Sequence, residues 1–343
     1  MSLSHLNLTT QPRQPSRVFD RPDVVVRGWY FACRASDLGR GQVQRLQIGR
    51  QRLVVFRGDD GVVGCVDAFC PHMGLDLALG TVQGDAIRCH FHHWRTRRDG
   101  RCQHQPAGEP PWTRAYAVTE RYGAVWVYPD AVPDAPLVEV PGLEGKQVIV
   151  AFDEVNTSKN PHFVSMVNGL DMAHLGTVHD LSIQMQVDLS ETPTRFDATV
   201  SGPIPTSSLG GRLTSWLLGP RYAYTMRYGE ATVAALVLLQ QTSFLGRPWP
   251  ELTMIYAYRP LPDGGSMTQP IFVAERRPGL TGWLRAQALL AAIRVAYRVL
   301  EDDDQEIYDN IRFSSARFTP VDAPVAAYVA WVERLRLSDW GAR

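Results

Sequence analysis

The feature that most constrains this chain is a pair of short donor clusters, Cys70-Pro71-His72 and Cys89-His90-Phe91-His92, with sixteen residues between them. C-x-H followed by C-x-x-H sets two thiolates and two imidazoles on tight loops, and the fold must bring those loops face to face. The donor set suits a [2Fe–2S] cluster with Cys70 and Cys89 on one iron and His72 and His92 on the other. Neutral imidazoles in place of two thiolates remove negative charge and raise the reduction potential far above that of an all-cysteine cluster. Such a centre accepts and passes single electrons. Zinc is the competing occupant, since it also takes two thiolates and two imidazoles. Zinc sites, however, usually pair C-x-x-C or H-x₃₋₅-H knuckles.

A second candidate site lies downstream. Residues 168–179 read Asn168-Gly-Leu-Asp171-Met-Ala-His174-Leu-Gly-Thr-Val-His179. Asp171 and His174, three apart, share a face if the segment is helical, and Gly176 predicts the end of regular helix before His179. Two imidazoles and one carboxylate on one side of an iron leave positions open for O₂ and substrate. Taken singly, either histidine reads as well as a hydrogen-bonded core residue; the preceding Cys/His signature favours metal. Residues 297–311 supply a candidate carboxylate. Asp304 shares a helical stripe with Tyr297, Leu300, Ile307, Tyr308 and Ile311. An acid in an apolar stripe must be paired or metal-bound, because a lone buried carboxylate is very costly. Asp302 falls instead with Arg298, Gln305, Glu306 and Asp309 on a polar face, and Asp303, between the two, is the alternative.

Together these motifs resemble the oxygenase (alpha) component of the Rieske non-heme iron oxygenases. Gly74, Gly80, Trp94 and the Asp99-Gly100 turn stand where that family places loop-forming residues. Two positions depart: His93, where Gly is usual, and His90, where Pro is common. The resemblance implies that His174, His179 and Asp304 bind a mononuclear Fe(II) and that Asn168 and Asp171 belong to the catalytic machinery. It further implies that Asp171 bridges His174 to a cluster ligand of a neighbouring subunit, in a homotrimer. A carboxylate beside a metal-bound imidazole orients it and raises its basicity. Partners implied are a ferredoxin or flavin reductase drawing on NAD(P)H, a small hydrophobic substrate and O₂. Phe91-His92-x-Trp94 with Asp99-Gly100-Arg101-Cys102 is similar to the steroid 9-alpha-hydroxylase oxygenases and cholesterol 7-desaturases, which implies a bulky alicyclic substrate. An aromatic or polyketide-type metabolite is the competitor. Hydroxylation is the first expectation; desaturation, dealkylation and oxidative cyclisation can share the same iron. A pure Rieske electron carrier is the reading from another class.

Composition fits a protein of this kind. With 343 residues, 45% hydrophobic and 20% charged, the chain can build two cored domains. Lys+Arg and Asp+Glu balance at 35 each, so the net charge argues for neither nucleic acid nor an anionic membrane surface. No apolar signal segment opens the chain, so a cytoplasmic location is expected; Cys33, Cys65 and Cys102 are left outside the cluster, and Cys102 could pair with another cysteine but reads better as a free thiol. Leu280–Leu300 is interrupted by Arg285, Arg294 and Arg298, so one or two core-facing helices are expected there and no membrane span.

The expected fold is α+β. A flexible arm (1–26) precedes a small all-β Rieske domain (27–130) and a proline-rich linker (131–145). A helix-grip-like (START-type) catalytic domain with a curved antiparallel sheet follows (146–343). Gly58-Asp59-Asp60-Gly61 predicts a hairpin between Leu53–Phe56 and Val62-Val63. Pro262-Asp263-Gly264-Gly265 predicts another turn. Leu170, Met166, Val178, Met185, Tyr256 and Phe272 are candidates for the pocket lining, each reading at least as well as ordinary core, and Arg195, Arg221 and Arg227 are candidates for holding a substrate carboxylate.

Overall fold

The computed structural model describes residues 16–21, 23–103, 111–178, 185–204, 206 and 209–341. The chain divides into two compact units. The first comprises Asp23–Pro136 together with Tyr258–Gly264 and the chain from Arg336 onward. It is built of three small sheets: Val43–Ile48, Gln51–Arg57, Val63–Asp67 and Ala115–Tyr116; Tyr30–Arg34, Ala124–Val127 and Val118–Arg121; and Thr81–Gln83, Ala86–Arg88, Arg95–Arg97 and Cys102–Gln103. The predicted hairpin is present, with Arg57 opposite Val63.

The central strand Gln51–Arg57 organises this unit. Its run Leu53-Val54-Val55-Phe56 is buried throughout, because both faces are covered. Successive side chains point to opposite faces. Leu53 and Val55 therefore enter one core with Tyr30, Tyr116 and Trp340, while Val54 and Phe56 enter another with Cys70 and Cys89. Expectation placed residues 336–343 in the catalytic domain, but the described part groups with the first unit. Val26 bridges Leu337, and the Arg27 N–H donates to the Arg336 carbonyl at 2.8 Å. Trp340 fills the core between Tyr30 and Tyr116.

The second unit holds a mostly antiparallel sheet. Its strand order is Val148–Phe152, Ser266–Glu275, Leu252–Pro260, Val233–Gln240, Arg221–Gly229, Arg195–Pro203 and Gln186–Glu191. The predicted turn at Pro262–Gly265 joins Leu252–Pro260 to Ser266–Glu275. Among the described residues, five helices accompany the sheet: α1 (His162–Ser165), α2 (Met172–Thr177), α3 (Leu209–Leu218), α4 (Gly279–Asn310) and α5 (Ala323–Val332). Along α4, Ala286, Leu290, Ile293 and Tyr297 recur at helical spacing and pack on Leu252, Met254, Phe272 and Ala274. The Leu280–Leu300 stretch is thus part of a single helix. No described helix is long and apolar enough to cross a membrane.

Several expectations are corrected. Gly176 lies inside α2, which runs on to Thr177. The arm is tied down from Ser16: the Ser16 hydroxyl and the Arg17 N–H both donate to the Glu333 carboxylate, and Val18 is fully buried. Met166 and Phe272 are core residues; the Met166 sulfur accepts from Tyr328, and the Phe272 ring meets Tyr297. Arg227 is committed to Asp197 and Glu144, and Arg195 also faces Asp197, so neither side chain is spare for a substrate acid.

Candidate metal centres

The two loops of the first motif share one backbone plan. The Gly74 N–H donates to the Cys70 carbonyl at 2.9 Å and the His93 N–H to the Cys89 carbonyl at 3.0 Å, so each loop closes four residues past its cysteine. Each cysteine N–H is anchored in turn, Cys70 to Leu75 O at 2.9 Å and Cys89 to Trp94 O at 2.7 Å. The closing residue is left-handed in both, with φ of 75° at Gly74 and 62° at His93. Glycine adopts that conformation without steric cost, and a side chain does not. The second loop therefore asks for glycine at the position where this chain has histidine.

Cys70 and Cys89 are buried in a wall of Val54, Phe56, Val66, Leu77 and Ile87. His72 and His92 are exposed, their ring centroids 4.5 Å apart. Trp94 stacks flat on His72 at 4.2 Å. Burial pushes the Cys70 thiol up to about 11, with Cys89 hydrogen-bonded beside it. A buried thiol such as that of Cys70 is a poor acid on its own but gives up its proton to a metal, whose charge compensates the thiolate. Sulfur inside and imidazole outside is a donor set that fits a [2Fe–2S] cluster. Cys33, Cys65 and Cys102 form no disulfide in this structure.

Asp76 braces the first loop. It caps the turn that follows by accepting the Ala78 N–H at 2.9 Å, and it pairs with Arg45 at 2.9 Å and Arg52 at 2.7 Å. Burial alone would raise its pKa; the arginines and the Ala78 amide outweigh burial and hold it below the usual carboxylate range. The stabilisation is therefore present at neutral pH and is lost as pH falls through the depressed folded value. Asp76→Ala is expected to cost about 1–2 kcal/mol at neutral pH. In denaturant titrations, the gap between variant and parent should shrink as pH falls below about 4.

The second centre lies at the start of α2. Asp171 caps this helix, its Oδ1 accepting the backbone N–H of His174 at 3.0 Å. Expectation placed Asp171 and His174 on one helical face; Asp171 instead stands just before the first turn. His174 is buried, and its Nε2 lies 2.8 Å from Asp304 Oδ1. The other oxygen of Asp304 accepts from the Asn168 amide at 2.5 Å. The hydrogen bond to Asp304 raises the His174 pKa against the opposing effect of burial. Asp304 falls seven residues beyond Tyr297, on the same helical stripe of α4, where its side chain is half-buried. Two of the three expected iron donors, His174 and Asp304, are thus brought together. His179 lies outside the described residues. An imidazole touching a carboxylate, with an amide fixing the second oxygen, is a donor pair that fits a ferrous ion.

Residues 28–127 match the profile of the Rieske [2Fe-2S] domain. This part of the chain is a Rieske domain. Over 175 residues, 47% of this chain, it is 34% identical to the cholesterol 7-desaturase of Bombyx mori, covering 37% of that protein. It is 31% identical over 246 residues to a 3-ketosteroid-9-alpha-monooxygenase oxygenase component of Rhodococcus rhodochrous, covering 60% of this chain and 65% of that one. The chain therefore spans less than two thirds of the length of these two curated relatives. Among solved structures, dicamba monooxygenase bound to dicamba aligns over 90% of this chain and 97% of its own, at a TM-score of 0.62 and 15% identity. NdmB of Pseudomonas putida CBB5 aligns over 93% and 92%, at 0.66 and 14%. These two structures establish the fold.

Within the Rieske domain, His93→Gly relieves the left-handed side chain and is expected to stabilise the folded domain by about 0.5–1 kcal/mol. A rise in the thermal midpoint of cluster absorbance checks this.

Proposed function

We propose that this chain is the oxygenase component of a Rieske non-heme iron oxygenase that oxidises a hydrophobic, steroid-like small molecule with O₂. Cys70, His72, Cys89 and His92 hold the [2Fe–2S] cluster, and His174, His179 and Asp304 hold Fe(II). The observation that carries this reading is the His174–Asp304 contact, gripped by Asn168, in a chain that also bears a Rieske domain. When bound, the cluster supplies single electrons and the iron supplies a site at which O₂ is activated.

The residues divide the work. Asn168 orients Asp304 by holding its outer oxygen, which leaves the inner oxygen toward His174. Asp171 sets the start of α2 and hence the backbone position of His174. By resemblance, Asp171 would also bridge His174 to a cluster ligand of a neighbouring subunit in a homotrimer. A ferredoxin or flavin reductase using NAD(P)H supplies the electrons, and the protein works in the cytoplasm. The relatives include both a steroid monooxygenase and a sterol desaturase, which supports hydroxylation or desaturation of an alicyclic ring.

Nitric oxide added to the reduced protein, followed by electron paramagnetic resonance, tests the iron site. A high-spin ferrous signal beside the cluster signal is expected. The cluster signal alone would overturn the proposal and leave an electron carrier. Turnover under ¹⁸O₂ with a reductase and NADH then separates outcomes. Hydroxylation gives a product carrying one heavy oxygen, whereas desaturation gives an unlabelled product two hydrogens lighter.

A further inference from the structure

The overall charge balance hides one region where it fails. Between Asp197 and Glu251 the chain has a single acid, Glu230, and that residue is buried. The same stretch carries Arg212, Arg221 and Arg247, all exposed. No described acidic side chain forms an ion pair with any of the three. This stretch also contains α3, which net composition and periodicity left unpredicted.

One face of α3 is apolar and open to solvent. Leu209 is 84% exposed, Leu213 and Trp216 are each 63% exposed, and Leu217 lies beside them. Their spacing of four, three and one residues puts them on one stripe. Against this stripe stands the hairpin Ser243–Phe244/Arg247–Pro248. The Trp216 ring meets Phe244 edge-on at 5.3 Å, and the Trp249 indole donates to the Leu217 carbonyl at 2.8 Å.

The hairpin tip gives an independent observation. Its two-residue loop is Leu245-Gly246, with φ of 50° and 74°. Turns with two left-handed residues favour Asn-Gly or Asp-Gly, because a left-handed Leu costs energy. Leu245 bears that cost and is 81% exposed, so it gains no core packing in return. Strain held by an exposed apolar side chain points to a contact made outside the folded chain.

We propose that α3 and the Leu245 tip form a docking patch for an anionic lipid surface. Leu209, Leu213, Trp216 and Leu245 enter the interface, while Arg212, Arg221 and Arg247 meet lipid phosphates. Trp and Leu beside arginines, in a stretch whose one acid is buried, is the composition of a helix that lies in a membrane interface. The scarcity of acids in this stretch favours lipid over a second copy of this chain, because the exposed arginines of two such surfaces would repel each other. The patch stands independently of the proposed reaction. If that reading also holds, the patch places the enzyme where a lipophilic substrate is concentrated.

Flotation of the cluster-loaded protein with vesicles tests the patch without any turnover assay. Binding is expected to vesicles of phosphatidylcholine and phosphatidylglycerol in equal parts, weak binding to phosphatidylcholine alone, and release by salt. Arg212→Glu with Arg247→Glu should weaken binding at least about tenfold. Leu245→Asn should weaken it by roughly tenfold yet raise thermal stability, because Asn suits the turn; misfolding cannot produce that combination. Three outcomes would overturn the proposal: no binding to either vesicle, equal binding to neutral and anionic vesicles, or variants that change only the assembly size on gel filtration.

Discussion

Alanine at His174 is expected to reduce turnover on the order of a thousandfold or more, with the cluster left intact. His174 contacts Asp304 directly, a buried histidine against a half-buried acid in the second unit, whereas the thiols of the Rieske domain lie in the first. Iron beyond that of the cluster should fall toward zero while acid-labile sulfide stays constant. The ferrous signal with nitric oxide should vanish. Asn168→Ala should behave differently, because among the described residues Asn168 reaches the site through Asp304 Oδ2. Loss of such an orienting partner costs about 10–100-fold in metal affinity or activity, so added ferrous ion should partly restore this variant and fail to restore His174→Ala. Equal loss in both, unrelieved by iron, would mean that the pair is only a structural ion pair. Normal turnover in His174→Ala would sink the iron assignment outright.

The two candidate centres stood out in the sequence for different reasons. Cys70, His72, Cys89 and His92 announce themselves by spacing, and the loops that carry them are local. Asp304 was separable from Asp302 and Asp303 because α4 is long, and its buried positions at 286, 290, 293 and 297 continue at helical spacing to 304. Asn168 stood out only through the resemblance; nothing in its own neighbourhood announces a hydrogen bond to a residue 136 positions away. Asp171 carried a local signal, an acid three residues before a helical N–H, which is an N-cap signature. Reading the pair as a shared helix face missed it. Helix α3 escaped because Gly210, Gly211, Thr214 and Ser215 lower its helical propensity. Its apolar stripe also faces solvent, so it did not behave as a core pattern. The left-handed state of His93 became visible only when the two loops could be compared.

The C-terminal segment was the least legible part of the fold, and the second large effect is expected there. Trp340 is buried near the chain end, yet it completes the core of the N-terminal unit, its ring 6.1 Å from Tyr30 and 5.1 Å from Tyr116. Neighbouring links hold the segment in place. The Ser338 N–H donates to the Val25 carbonyl at 2.7 Å, and Arg114 pairs with Asp339 at 2.5 Å. Gly341 passes so close to the chain at 23–25 that a Cβ there would lie 2.4 Å from the Asp23 carbonyl oxygen. Trp340→Ala opens a cavity in a close-packed core and should cost about 3–5 kcal/mol. In a unit of this size that lowers the melting midpoint by about 10 °C or more. Leu53 and Val55 contact this core, while the alternating Val54 and Phe56 line the cysteine wall. The strand that loses support on one face is therefore the strand that holds the cluster loops on the other. Visible absorbance of the cluster should be lost at the lowered temperature, together with the far-ultraviolet signal of the Rieske domain. Trp340→Phe, which keeps most of the volume, should recover most of the loss. Unchanged cluster melting in Trp340→Ala would show that the last residues only lie on the Rieske domain and do not build it.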